Sequence, residues 1–386
     1  MQQASHDSRP IRHVVVAVDA SLNYGRGILG GIAAYSHAAG NWRLLPRTRG
    51  PVTKDDIRRA DDYDGLIAGV AGDDGLAELK NRTIPRVCVS DNRQLSGIPT
   101  VHVDNEQVGR LAAEHLLERG LTQFAGLWLG AHDGMAARYN TFAETVRQAG
   151  HTCTSLSSRI NASRMREWLS RQSSPLGVFA GSDGLAEEIA EEAWEMGWQI
   201  PEDIAIVGVD NDSVACEFGH VTLSSVALPL YAIGYEAARL LDEWMDAGTG
   251  TPPDAGVHTA LDPVGLIVRQ SSDVWIAGDP LVAEVLVYIR ENLSRSFSIE
   301  EIAHAVGLGR RQVERRFKIE TGNTLGAVMT RLRVDRAREL LARREPTIAE
   351  VGEMCGYASP SYFALVFRRE TGRTPAEYRA AMTSYS

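Results

Sequence analysis

Residues 12–272 alternate between apolar runs that suit β-strands and amphipathic runs that suit helices, and this alternation limits the possible folds more than any other feature. HVVVAVD at 13–19 and IAIVGVD at 204–210 are strand-like, while NEQVGRLAAEHLLERG at 105–120 has helical spacing. Strands that are apolar along their whole length are typical of parallel sheets covered by helices on both faces. The pattern predicts an α/β domain. Its length, about 260 residues, exceeds one such sheet, so we expect two similar Rossmann-like lobes.

A repeat with an offset of about 50 residues occupies the C-terminal end. FKIETGNT at 317–324 recurs as FRRETGRT at 367–374, and Gly307 recurs as Gly356. Each copy has a short helical run, a glycine suited to a left-handed turn and a second helical run, which is the pattern of a helix-turn-helix. We therefore expect an all-α domain with two such motifs. They are placed at about 298–320 and 347–370, joined by a helix at about 324–344.

Charge divides the chain at the same place. From Pro280 onward there are 17 basic and 13 acidic residues, whereas the rest has 23 basic and 37 acidic residues. Arginine and glutamine can read the edges of guanine and adenine, and arginine also binds phosphate. The outward positions of the first motif's second helix carry Arg310, Arg311, Gln312, Arg315 and Arg316. The alternative is a pair of helical hairpins whose basic faces contact only water, but two motifs in register favour double-stranded DNA as the partner.

Residues 281–386 resemble the DNA-binding domain of the AraC/XylS regulators. The second copy matches the family pattern at positions that include Ile348, Val351, Gly356, Tyr357, Phe363, Phe367, Gly372, Pro375 and Tyr378. The resemblance implies that Ser359, Ser361, Tyr362, Arg368 and Arg369 contact DNA. Two residues depart from the pattern, because Leu365 stands where many members have arginine and Ala364 where serine or histidine is common. We expect the second motif to read bases less directly than the first.

Polar residues follow the predicted strands of the α/β domain. Asp19, Asp91, Asp183 and Asp210 come at strand ends, and Arg138 opens a later helix. In open α/β sheets ligands bind beyond the carboxyl ends of the strands. Carboxylates accept from hydroxyl groups and arginine donates to them, which suits a sugar, and Tyr24 could cover a sugar ring. For any single aspartate, capping of the following helix is an equally good interpretation.

Three segments of this domain resemble the LacI/GalR regulators and the ribose-type periplasmic binding proteins: 102–120, 204–212 and 223–241. The resemblance implies a two-lobed periplasmic-binding-protein-like fold. It also implies that Arg138, Asp183 and Asp210 contact a sugar, with Asp19, Tyr24 and Arg26 doing so more variably. LacI-type regulators carry a DNA-binding headpiece before this fold, whereas the first strand here begins near residue 12. We therefore expect the C-terminal domain to bind the DNA.

Other functional classes find less support in the sequence. Gly25, Gly27 and Gly30 fit G-x-G-x-x-G, but the motif does not follow the strand directly and lacks the acidic residue of a dinucleotide site. No nucleophile, metalloprotease or P-loop motif occurs, and the four cysteines are scattered. We expect no metal, no cofactor, no enzymatic activity and no membrane segment.

Together these features predict a disordered tail at 1–11, a sugar-binding domain at 12–272, a linker at 273–280 and a DNA-binding domain at 281–386. This order resembles bacterial sugar-operon regulators. It implies a cytoplasmic transcription activator with a pentose effector, D-xylose, that acts as a homodimer and has RNA polymerase as a further partner. The alternatives are a regulator for another monosaccharide, a sensor or transport-associated sugar-binding protein, and an enzyme that uses Asp183 and Asp210 as paired carboxylates.

Overall fold

The computed structural model has the predicted fold class: two α/β lobes followed by a helical domain. The structure describes residues 10–47, 49–70, 73–90, 95, 97–128, 133–157, 161–248, 258–343 and 345–383. Residues 1–9 of the predicted tail lie outside these ranges, as does Asp91. Within the described residues, no helix is both long enough and apolar enough to span a bilayer.

The first lobe is built on a parallel six-stranded sheet in the order β11-β5-β4-β3-β1-β2. Its strands are β1 Arg12–Ala17, β2 Trp42–Pro46, β3 Gly65–Ala68, β4 Arg86–Cys88, β5 Thr100–Val103 and β11 His258–Leu261. Its helices are α1 Asn23–Ala39, α2 Lys54–Arg58, α3 Asp73–Lys80 and α9 Leu230–Ala247.

The second lobe has a six-stranded sheet in the order β12-β10-β9-β8-β6-β7, in which only β12 is antiparallel to its neighbour. Its strands are β6 Gln123–Trp128, β7 Thr152–Ser157, β8 Leu176–Ala180, β9 Ile204–Val209, β10 Ser224–Ala227 and β12 Gly265–Ile267. Its helices are α4 Asn105–Glu118, α5 Asp133–Gln148, α6 Ala162–Leu169, α7 Asp183–Glu195 and α8 Ser213–Glu217. Every residue of β8 and β9 is buried, as a central strand covered on both faces requires.

The chain crosses between the lobes three times: after β5, after β10, and between β11 and β12. On the two sides of these crossovers, helices pack in close pairs, α1 with α9 and α4 with α5. The close packing of α1 against α9 requires glycine at position 31, because a Cβ atom on Gly31 would lie 2.0 Å from the Tyr231 carbonyl oxygen. A Cβ atom on Gly109 would lie 2.0 Å from the Arg138 carbonyl oxygen, so Gly109 fixes how near α5 comes to α4.

The C-terminal domain contains seven helices in its described part. These are α10 Pro280–Asn292, α11 Ile299–Ala305, α12 Arg310–Thr321, α13 Leu325–Ala342, α14 Ile348–Met354, α15 Pro360–Thr371 and α16 Pro375–Thr383. The two helix-turn-helix motifs are α11–α12 and α14–α15, and α13 connects them. Both begin with a capping box, from Ser298 with Glu301 and from Thr347 with Glu350. Gly307 and Gly356 take positive φ values of 68° and 74° in the turns.

The helical domain packs directly on the second lobe. Ala227 at the end of β10 and Val264 before β12 share a hydrophobic cluster with Val334 and Leu341 of α13. The segment before α10 is also held, because the Ile276 N–H donates to the Arg119 carbonyl oxygen at 2.8 Å. Trp275 lies under the Arg119 guanidinium, 5.5 Å from it. The two domains therefore meet through packed surfaces, and two of the three crossovers adjoin that contact.

Candidate functional site: an interlobe cleft and two DNA-facing helices

Asp210 follows β9 in an unusual backbone conformation. Asp210 and Asn211 have positive φ values of 107° and 50°, which residues other than glycine seldom adopt, and such backbone conformations cluster at functional sites. The loop is held from the second lobe, since the Asn211 N–H donates to Ser225 Oγ at 2.9 Å and Arg269 donates to Asn211 Oδ1 at 2.8 Å. These contacts hold the Asp210 carboxylate at the carboxyl end of the sheet.

Arg138 comes from α5 and is 6% exposed. Its Nε donates to Asn105 Oδ1 at 2.6 Å, and its Nη1 donates to the Gly181 carbonyl oxygen at 3.0 Å. Burial raises the pKa of Asp210, while the Arg138 charge opposes that rise. A buried guanidinium beside a carboxylate can donate to and accept from the hydroxyl groups of one ligand.

Asp183 starts α7 and is only 1% exposed. Its Oδ2 accepts from the Asp212 N–H at 2.7 Å and from the Cys216 thiol at 3.4 Å, and its Oδ1 lies over Gly208, where a Cβ atom would approach to 2.3 Å. Burial, and then the charge of Asp210, raises the pKa of Asp183. The carboxylate therefore braces the loop that carries Asp210.

The three residues predicted from the first lobe make different contacts. Asp19 Oδ1 accepts from the N–H and Oγ of Ser21, so its contacts are those of a local turn. The Tyr24 hydroxyl donates to the Val89 carbonyl oxygen at 3.1 Å. Arg26 Nη2 lies 3.6 Å from Asp212 Oδ2 across the cleft. None of the predicted strand-end aspartates that the structure describes is the N-cap residue of the following helix, since those positions are Leu22 in α1, Ser182 in α7 and Asp212 in α8.

Sequence reasoning missed three polar residues at this site. Asn105 orients Arg138, Asp212 meets Arg26, and Asn23 Nδ2 donates across the cleft to the Asp210 carbonyl oxygen at 3.3 Å. Asn105 belongs to the Asp-Asn pair within the segment that resembles the sugar-binding families, which was a usable signal. Asp212 is the last residue of the segment 204–212, which resembles the same families, whereas Asn23 had no such signal. Within the described parts of the chain, no cluster of three histidine, cysteine, aspartate or glutamate residues could hold a metal ion.

The helical domain presents two matching exposed faces. The first is on α12: Arg311, Gln312, Arg315, Lys318 and Ile319. The second is on α15, offset by 50 at every position: Ser361, Tyr362, Leu365, Arg368 and Arg369. The opposite sides are buried through Val313 and Phe317 in α12 and through Phe363 and Phe367 in α15. We call these the first and the second face.

The predicted DNA contacts divide into two groups. Arg311 and Arg315 make no side-chain hydrogen bond or ion pair to any other described residue. Gln312 shares their exposed face, as Ser361, Tyr362 and Arg368 share the second one. A second set is engaged within the protein. Arg310 pairs with Glu314, Arg316 with Asp279 at 2.7 Å from Nε, and Arg369 with Glu370, while Ser359 caps α15 through the Tyr362 N–H.

Comparison with known proteins adds two family matches. Residues 113–272 match the periplasmic binding protein-like domain, and residues 302–381 match a helix-turn-helix domain. The chain is 28% identical to the Xylose operon regulatory protein of Escherichia coli (strain K12), over 95% of this chain and 97% of the relative. It is 27% identical to the protein of that name from Haemophilus influenzae, with the same coverage. A solved structure of a xylose-binding transcription activator, xylR, superposes with a TM-score of 0.60 at 26% identity, covering 96% of this chain and 98% of that one.

Proposed function

Because this chain is a sugar-responsive transcription regulator with the two-domain architecture of the xylose operon regulatory proteins, we propose that its effector is D-xylose and that it activates pentose catabolic genes. The sugar binds between the lobes, and its binding changes how the C-terminal domain engages DNA. The coverage of both relatives along nearly their whole length supports this assignment.

One observation carries the mechanism: the helical domain packs on two of the three crossovers between the lobes. Ala227 and Val264 flank these crossovers and contact the cluster that contains Val334 and Leu341. Closure of the lobes must rotate the backbone of the crossovers, so the surface offered to α13 differs between open and closed states. A ligand that favours one state then shifts the helical domain by its differential affinity for the two states.

The cleft suits a small polyhydroxylated ligand. We infer that Asp210 and Arg138 bind sugar hydroxyl groups, that Tyr24 covers an apolar face of the ring and that Asp183 holds the Asp210 loop in place. Asp19 and Arg26 line the first-lobe side of the cleft. Arg26 and Asn23 of the first lobe contact Asp212 and Asp210 across the cleft. The loop after β9 therefore contacts both the sugar and the opposite lobe.

The two exposed faces suit successive major grooves of one duplex. Helix α13 has 18 residues, which corresponds to a length of about 27 Å, close to the roughly 34 Å repeat of B-DNA. We infer that Arg311, Gln312 and Arg315 read bases, that Ser361, Tyr362 and Arg368 contact the second groove, and that Arg369 binds phosphate. Arg310, Arg316 and Ser359 hold the motifs in place through their internal partners.

Assembly and location follow from the same function. We infer a homodimer, because paired DNA-binding domains raise affinity for an operator. Val214 and Phe218, in and after α8, are exposed apolar side chains available to a second copy. As an activator the protein would also contact RNA polymerase. A bacterial regulator that binds DNA would act in the cytoplasm.

Two linked measurements test the proposal. Calorimetric titration with D-xylose, L-arabinose, D-ribose and D-glucose should give saturable binding, strongest for D-xylose. Selection from a random duplex library, with and without D-xylose, should enrich a defined sequence whose affinity depends on the sugar and falls steeply with salt.

The substitution Asp210→Ala should remove sugar binding and leave DNA binding without sugar intact. The absence of heat with every sugar, together with the absence of an enriched duplex, would refute the function. Binding of a different sugar alone would change only the effector.

A further inference from the structure

We propose that the second face reads thymine through its methyl group, with Leu365 and Tyr362 as the contacting side chains, whereas the first face reads purine edges by hydrogen bonding. The inference rests on the proposed DNA-binding function and names the base chemistry that the second helix-turn-helix recognises.

The two faces can be compared position by position because both helices have 12 residues and both are followed by a glycine C-cap, Gly322 and Gly372. At the two central positions, however, the chemistry changes. Gln312 of the first face corresponds to Tyr362 of the second, and Arg315 corresponds to Leu365. Two side chains that donate hydrogen bonds are thus replaced by a largely aromatic surface and a purely aliphatic one.

Leu365 and Tyr362 are exposed in the same way as the first-face residues to which they correspond. Leu365 is 67% exposed and Tyr362 is 58% exposed, one turn apart on the same side of α15. Arg368 lies one turn further along the same exposed face. The apolar pair therefore lies inside a basic DNA-facing surface.

The major groove offers few apolar groups to such a pair. Thymine presents its 5-methyl group there, whereas guanine, adenine and cytosine present only donors and acceptors. Leucine has no hydrogen-bonding group and cannot distinguish those three edges by donation. The chemistry that fits Leu365 is contact with a methyl group, and the Tyr362 ring, edge-on to Tyr357 at 6.2 Å between centroids, can cover its other side.

The test uses the duplex enriched by selection and removes one methyl group at a time. Each thymine is replaced by deoxyuridine, and affinity is measured by fluorescence anisotropy at fixed salt. For the unmodified protein we expect a loss of about three- to tenfold at one or two positions of the half-site bound by α15. No such loss is expected in the half-site bound by α12. Replacing the same thymine by 5-methylcytosine should retain more affinity than replacing it by cytosine.

Variants assign the effect to the side chain. Leu365→Ala should lose most of the difference in affinity between the thymine and deoxyuridine duplexes, with the remainder due to the Tyr362 ring, and the exposure of Leu365 means that folding is preserved. Leu365→Arg, which restores the first-face residue, should replace the methyl dependence with a preference for guanine. Ile319→Ala is the matched control, because Ile319 is an apolar side chain of the first face that is 74% exposed. It should leave the methyl effect unchanged.

The outcomes separate this inference from the function on which it rests. If no duplex is enriched, the DNA-binding function itself fails. If a duplex is enriched but every deoxyuridine substitution is neutral, or if Leu365→Ala keeps the full methyl effect, methyl reading by Leu365 is refuted and the regulator function stands.

Discussion

Asp183 and Asp210 lie on adjacent elements of the second lobe yet perform different tasks. Asp210 sits at the end of β9 within the field of Arg138, where a ligand can reach it. Asp183 is enclosed, and its carboxylate is occupied by the Asp212 N–H and the Cys216 thiol. Burial beside another carboxylate disfavours the charged form of Asp183, so the contribution of Asp183 to the stability of the protein depends on pH.

We expect Asp183 to make the protein less stable as the pH rises. Its pKa in the folded state is raised above the ordinary value of 3.8. The folded state therefore binds this proton more tightly than the unfolded state, and the free energy of unfolding falls as pH increases above 3.8. Asp183→Asn should flatten that fall when urea unfolding is compared between about pH 5 and about pH 8.

Asp203→Asn is the control for this experiment. The Gln199 N–H and the Ser174 hydroxyl lower the pKa of Asp203, so its contribution is lost only on acidification and its replacement should leave the slope between these pH values unchanged. Identical slopes for Asp183→Asn and the unmodified protein would contradict the assignment of this pH dependence to Asp183.

Gly109 should control the position of Arg138. Its missing side chain allows α4 and α5 to approach, since a Cβ atom there would be 2.0 Å from the Arg138 carbonyl oxygen. Gly109→Ala should lower the free energy of unfolding by about 1–3 kcal/mol and weaken sugar binding, because it pushes Arg138 away from Asn105. Gly326→Ala, in a helix where a Cβ atom meets nothing within 4 Å, should be neutral or stabilising in the same urea measurement. Equal effects of the two substitutions would argue against the packing explanation.

At the scale of elements, the sequence predicted the helices and motifs but not the role of each charged side chain within them. The 50-residue repeat correctly predicted a helical domain with two helix-turn-helix motifs, because capping residues, turn glycines and buried aromatics all act locally. The roles of the arginines within α12 depend on distant partners. Arg316 is bound by Asp279, which lies before α10, and no local pattern indicates that contact. Strand-end aspartates were recognised in the same way, but only the folded chain separates Asp210 in the cleft from Asp183 behind it.

Some arginines of α12 are unpaired within the described protein and others are bound to acidic residues, and this difference gives a prediction for Arg311 and Arg316. Arg311→Ala should weaken specific DNA binding by about 1–3 kcal/mol with no change in thermal stability, since the side chain is exposed and unpaired within the described protein. Arg316→Ala should lower the melting temperature and have the smaller effect on DNA affinity, because it releases α10 from α12. Anisotropy and differential scanning calorimetry on both variants make the comparison. The reverse order of effects would return Arg316 to the DNA surface.

At the scale of the whole molecule, the contact between the domains was out of reach of the sequence. The sequence predicted a linker at 273–280 and did not indicate which part of the protein this segment contacts. The structure shows that part to be the end of α4, where Arg119 is 1% exposed and donates to the Ser272 carbonyl oxygen at 2.9 Å.

The end of α4 also contacts α13. Arg119 faces Asp335 of α13 at 3.6 Å, and Glu118 pairs with Arg331 of α13 at 2.9 Å. Helix α4 begins at a crossover with Asn105, the partner of Arg138. A single helix therefore connects the proposed sugar site to the helix that joins both helix-turn-helix motifs.

This connection should transmit the effect of sugar on DNA binding. Burial lowers the pKa of Arg119 and the Asp335 charge opposes that shift, so the two groups stabilise each other in the docked arrangement. Asp335→Asn keeps the shape of the side chain and removes the charge. We expect sugar affinity without DNA to be retained, while the ratio of DNA affinities with and without D-xylose moves toward one. The coupling free energy would thus lose much of its usual size of about 1–3 kcal/mol.

Thr330→Ala is the matched control on the same helix, because among the described residues the Thr330 hydroxyl donates to the Gly326 carbonyl oxygen, within α13 itself. It should preserve the ratio. Calorimetry for the sugar and anisotropy for the enriched duplex give the coupling for each variant. If Asp335→Asn retained the full ratio, the Arg119–Asp335 pair would not transmit the effect of sugar, and the proposed path through that pair would be wrong.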